Sequence, residues 1–211
     1  MASWPSRISP SPNLHRLSSS FVLGYHGCDR HVGEALVAGT PFIASENEYD
    51  WLGPGVYFCE ANPQRGLEFA RELQRWRRGK AHEIKEPFVV GAAIELGFCL
   101  DLTTSTGIQA VASMHRDFLD YCKKANFEVP VNVGGKDLLF RNLDCAVISH
   151  IHRVRKAAGF QAFDTVKGVF IEGDRIYPES GFFAKTHIQV CVRTLACIKG
   201  VFRVPKDQLE T

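Results

Sequence analysis

No stretch of this chain is more constraining than Pro87–Leu102, PFVVGAAIELGFCLDL. It is the strongest strand region, and Gly97 marks a bend or a bulge within it. Shorter apolar runs surround it, broken by glycine and alternating with segments of helical spacing. Phe21–Tyr25 reads as a buried strand that empties into His26-Gly27. Asp29 is placed to cap a helix over Arg30–Val37, which Gly39 ends. Pro41–Ala44 is a short extended piece and Ser45–Asp50 a polar loop. Gly53-Pro54-Gly55 forms a turn before a brief strand, Val56–Cys59. Asn62 and Pro63 open a helix with Leu67, Ala70, Leu73 and Trp76 or Arg77 at helical spacing. Thr103–Thr106 caps another helix through about Lys124. After a turn at Gly134-Gly135 comes a further helix, Leu143–Ala158. TVKGVFIEG, HIQVCVR and a terminal segment ending in VFRV supply the closing strands. Strands this short and irregularly spaced do not suit a doubly wound parallel sheet. The expected fold class is α+β, one domain over 21–211 behind a flexible N-terminal arm, 1–20.

The bulk numbers set limits. A chain of 211 residues with 45% hydrophobic and 23% charged residues builds a real core. A net charge of +2 neither demands nor excludes a nucleic-acid partner. The seven cysteines are singletons with no CxxC pair, which argues against a thiolate zinc site. They read as small hydrophobes of a reducing compartment, and with no secretory pattern the expected location is cytoplasmic. No apolar run is long enough to span a membrane. His115, His150 and His152 do not form a metal set, because residues two apart on a helix face different ways. No GxGxxG is present, so hydride transfer lacks its phosphate-binding helix.

Three separated phrases carry the chemistry: GYHG, GPGVYF and the late strand HIQVCV. His26 and Tyr57 lie 31 residues apart, and Tyr57 and Gln189 a further 132. In this order the phrases resemble the signature of ADP-ribosyltransferases of the diphtheria-toxin and poly-ADP-ribose-polymerase branch, which reads His, Tyr, Glu. His26, with Gly27 beside it, matches the first element and Tyr57 the second. Gln189 stands where the family has its glutamate, and sliding the strand offers only Ile188 or His187.

The resemblance implies an ADP-ribosyltransferase-like split antiparallel β-sheet core with flanking helices. NAD is then a substrate, lying in a cleft between two small curved sheets and cleaved at its nicotinamide–ribose bond. His26 donates to a ribose or adenosine hydroxyl, the Gly27 backbone pairs with the nicotinamide carboxamide, and Tyr57 stacks on the ring. Gln189 accepts from the ribose 2′-hydroxyl but supplies no charge for the oxocarbenium-like centre, a cost on the order of 10²–10³ in rate. Glu179, in YPESGFFAKTH, is the nearest substitute carboxylate, acting on the acceptor as general base; its plain alternative is an exposed loop acid. Phe182 and Phe183 stack on substrate or anchor that loop. Glu172 reads as a turn residue. His187, two before Gln189, shares its strand face. Arg65, in the first turn of the helix after Tyr57, would meet a pyrophosphate or ribose; a cation there opposes the helix dipole, which a ligand anion would offset. Arg65, Arg71, Arg75, Arg77, Arg78 and Lys80 give that helix a basic outer face, either plainly solvated or phosphate-contacting. The expected function is mono-ADP-ribosylation of a protein or nucleic-acid acceptor, since chain elongation leans on the missing glutamate. tRNA 2′-phosphotransferase chemistry lacks its fuller signature. An inactive NAD- or ADP-ribose-binding module and a purely structural domain stay open, as does the role as host enzyme, toxin or effector.

Overall fold

The computed structural model describes residues 21–209; the expected N-terminal arm lies outside them. In chain order the elements are β1 (Phe21–Asp29), α1 (Arg30–Val37), β2 (Val56–Glu60), α2 (Pro63–Trp76), β3 (Pro87–Glu95), β4 (Cys99–Asp101), α3 (Ser105–Ala125), β5 (Asn132–Val133), β6 (Phe140–Arg141), α4 (Asn142–Ala157), β7 (Thr165–Phe170), β8 (His187–Val192) and β9 (Ile198–Arg203). One seven-stranded sheet runs β4-β7-β8-β2-β1-β3-β9, and β5-β6 is a separate hairpin. The architecture is α+β.

The helices start where short polar side chains satisfy their first N–H groups. Asp29 accepts from His31 N at 3.0 Å, Asn62 from Arg65 N at 2.9 Å and Thr104 from Gly107 N at 3.1 Å. Asn126 closes α3 in the left-handed region, at φ 54°. Two expectations are corrected. Pro87–Leu102 is two strands, because Gly97, at φ +58°, breaks it and Asp164 accepts from Phe98 N at 2.9 Å. The sheet is also not wholly antiparallel, since β4 pairs parallel to β7. Between those strands the chain makes a long crossover through α3 and α4, which is what parallel neighbours require.

Alternation divides the core between the two faces of the sheet. Phe58, Ile94, Val190 and Val192 pack on one side; Leu52, Ile148, Val166 and Cys191 pack on the other under α4. α2 lies across β1 and β3, and two glycines let it come close. A Cβ on Gly27 would stand 2.1 Å from the Gly66 carbonyl oxygen, and one on Gly66 would stand 2.9 Å from Val89 Cγ2. Both contacts form part of the seat of α2.

Gly27→Ala should therefore lower stability by about 2–3 kcal/mol, because the methyl meets helix backbone that cannot swing away. Gly200→Ala, whose Cβ meets nothing within 4 Å, should leave the urea midpoint unchanged. Equal midpoints for the two variants would mean that α2 is not seated on β1 in solution.

Candidate functional site at the open edge of β1

β1 pairs with β3 over nine residues but with β2 over only two, Gly24↔Glu60 and Tyr25↔Cys59. Continued in register, the β1–β2 ladder would set Gly27 opposite Tyr57. It does not continue, and the Tyr57 carbonyl accepts from a side chain instead: His26 Nδ1 stands 2.9 Å from it. The strand's own alternation fixes what is left over. Arg30 N donates to Glu86 O at 2.8 Å on the β3 side, and Leu23 O accepts from Ala61 N at 2.8 Å on the β2 side. Even-numbered residues of β1 thus turn their backbone groups to β3, and odd-numbered ones to β2. Gly27 is the odd-numbered residue just past the end of the β2 ladder, so its N–H and C=O face the opening.

The donors and acceptors fix the state of His26. A carbonyl only accepts, so Nδ1 carries the proton and Nε2 is the acceptor of the neutral ring. Burial holds this imidazole below the ordinary histidine pKa, against the opposing bond to Tyr57. The ring sits edge-on to Phe42, at 5.5 Å between centroids.

Tyr57 and Gln189 converge on the turn between them. The Tyr57 hydroxyl accepts from Leu52 N at 3.0 Å and donates to Gly53 O at 2.8 Å. Burial pushes that phenol well above its ordinary pKa. Gln189 Oε1 accepts from Trp51 Nε1 at 2.6 Å. Indole N–H can only donate, so this bond orients the amide and sends Gln189 Nε2 to His187 Nε2, 2.8 Å away. His187 Nε2 must then accept, and its Nδ1 donates to Lys185 O at 2.7 Å. A neutral relay of fixed polarity runs from Trp51 through Gln189 and His187 to the Lys185 carbonyl. Its setting is aromatic: Phe170 lies beside both Trp51 and His187, and the Arg141 guanidinium sits 4.3 Å from the Phe170 centroid. Gly168, opposite Gln189, leaves room for the Trp51 ring, which a Cβ would meet at 2.6 Å.

Arg65 does not lie on an outer face. It is 4% exposed and forms ion pairs with Glu72 at 3.1 Å and Glu172 at 3.0 Å. Lys185 joins the same carboxylates at 2.8 and 3.7 Å. Burial alone would lower the Arg65 pKa, but the two carboxylates outweigh it and hold the guanidinium above its ordinary value. Glu172 is thus a buried partner and not a simple turn residue. Glu179 stands at a hairpin tip at φ +62°, exposed, with no hydrogen bond or ion pair among the described residues. Phe182 is 65% exposed on the same loop. His150 bonds Asp117 at 2.6 Å, and among the described residues no group of three His, Cys, Asp or Glu could hold a metal. No helix among them is long and apolar enough to cross a membrane.

Trp51 is the residue that sequence reasoning missed. Its only signal was an indole placed directly before the Leu52-Gly53-Pro54-Gly55 turn. Compared with family models, curated proteins and solved structures, the chain matches none.

Two outcomes follow from the relay and the buried rings. His187 is held below its ordinary pKa, by burial first and by Arg65 as well. In Gln189→Glu an acceptor faces His187 Nε2, so the imidazole should gain a proton and titrate above 6.5, read from its C–H resonances by NMR. An unmoved titration would mean that the relay is absent.

His152, pushed down to about 3 by burial and by Arg193 and Arg155, is lowered in the same direction as His26 and His187. For each, the unfolded chain binds the proton more readily, so stability is highest above pH 6.5 and falls as pH drops below it. Each ring adds up to about 1.4 kcal/mol per pH unit. Urea midpoints that stay flat from pH 7 to 5 would contradict this.

Proposed function

We propose that this chain is a mono-ADP-ribosyltransferase that cleaves NAD at the nicotinamide–ribose bond and passes ADP-ribose to a macromolecular acceptor. The observation that carries it is the Gly27 edge, where an N–H and a C=O face an opening beside Tyr57. A carboxamide needs one donor and one acceptor in a plane, and an unpaired strand residue offers that pair. The sheet order supports the finer fold as well. β7-β8-β2 and β1-β3-β9 meet through only two residue pairs, as two small sheets sharing a cleft would.

Within this proposal His26 plays a different part from that first expected. With Nδ1 given to Tyr57 O, its Nε2 accepts from a ribose hydroxyl and does not donate. Gln189 keeps one Nε2–H and one Oε1 lone pair beyond its bonds to His187 and Trp51. It can therefore accept from the 2′-hydroxyl, but it adds no negative charge beside C1′. Slow turnover follows.

A second reading is favoured by the same bonds. The Tyr57 hydroxyl and both ends of the Gln189 amide are already engaged inside the protein. That arrangement suits a domain that binds NAD without cleaving it.

Nicotinamide release decides between them. Slow release by the wild type, abolished in His26→Ala and raised roughly 100-fold in Gln189→Glu, is the expected pattern. Release by Gln189→Glu alone would make the natural chain a binding module. No release and no calorimetric binding of NAD by either protein would overturn both readings.

A further inference from the structure

Residues 71–85 carry six Lys or Arg against two Glu, although the whole chain is only +2. The rest of the molecule is thus net acidic, and the positive charge is gathered at one end of α2. Arg71, Arg75, Arg77, Arg78, Lys80 and Lys85 have no ion-pair partner among the described residues. Of the two glutamates, Glu72 turns inward to Arg65, which leaves Glu83. The helix dipole accounts for a cation or two in the last turn. It does not account for Lys80 and Lys85 beyond the helix, nor for Trp76, which is 51% exposed in the middle of the cations. Among the described residues no guanidinium stacks on that indole, whereas Arg141 and Arg155 cover aromatic rings elsewhere.

A depression of about 400 Å³ lies at this end of α2, lined by Gln74, Arg75, Arg78, Glu83, Ile84 and Lys85. Its wall is fixed, since Gln74 Nε2 donates to Lys85 O at 2.8 Å.

We infer that this end of α2 binds single-stranded nucleic acid, with Arg75, Arg78 and Lys85 on phosphates and Trp76 stacked on a base. Unpaired cations interleaved with an open aromatic face are what a single strand requires, with phosphates for the cations and a base face for the indole. The surface also lies on the candidate site's own helix. α2 begins against Gly27, and the ten residues from Arg65 to Arg75 span about 15 Å. As the identity of the acceptor this rests on the ADP-ribosyl transfer proposed above; as a binding surface it stands alone.

The test is fluorescence anisotropy of the full chain with labelled oligouridylate and oligothymidylate of about a dozen nucleotides, at 50 to 200 mM salt, with polyglutamate as competitor. Binding to one or both oligonucleotides is expected, with Trp fluorescence quenched on binding. Arg75→Ala with Arg78→Ala should reduce the slope of log K against log salt by about 1.4. Trp76→Ala should weaken binding roughly tenfold and remove the quench. Lys123→Ala with Lys124→Ala, exposed cations of α3, should change neither. No binding at 50 mM salt overturns the inference, as does equal weakening by the α3 pair. Polyglutamate competing as well as RNA, with Trp76→Ala silent, also overturns it and points to an acidic protein. Nicotinamide release by the same variants separates the two proposals, because a failed NAD reaction with intact oligonucleotide binding removes only the enzyme.

Discussion

The bond from His26 Nδ1 to the Tyr57 carbonyl decides what this sheet is. A side chain has taken an acceptor that a regular ladder would have given to backbone. At that acceptor one bond replaces another, and the Gly27 N–H and C=O are left without a strand partner on that side. The effect is topological: β1 and β2 part after Tyr25, while nine pairs to β3 keep β1 straight and α2 clamps its other face. Tyr57 and Gln189 fasten the Trp51–Gly53 turn that precedes β2.

Local chemistry was legible wherever one residue decided the outcome. Asp29, Asn62 and Thr104 cap their helices through their own oxygens, and Gly134-Gly135 turns with both φ angles positive. His26, Tyr57 and Gln189 fall on strands β1, β2 and β8, which neighbour one another in the sheet. Relations set by distant partners were not legible. Nothing near Arg65 announces Glu172, 107 residues on, so its helical position suggested a solvated face or a ligand phosphate. The parallel pairing of β4 with β7 depends on where two intervening helices pack, and Trp51 owes its role to an amide 138 residues away.

Glutamine at 189 is more than a carboxylate lost. Each bond in the relay leaves one choice for the next: indole donates, amide oxygen accepts, amide nitrogen donates, imidazole accepts. A carboxylate would fit the indole end and require a cation at the histidine end. The natural residue keeps the row of groups uncharged beneath the aromatic rings of Trp51 and Phe170, where an ion would pay heavily in desolvation.

Buried Arg65, Glu72 and Glu172, with half-exposed Lys185 at their rim, tie α2 to both ends of the loop that carries Glu179. Removing a buried member leaves an unbalanced charge inside the protein, which is far worse than never having had the pair. The four positions are therefore one unit of inheritance. Drift at any of them is blocked until its counterpart changes too, whereas the exposed tip between Tyr177 and Phe182 is free to vary. A descendant of this chain can acquire a new loop tip by single steps, but it can alter the base of that loop only by concerted ones.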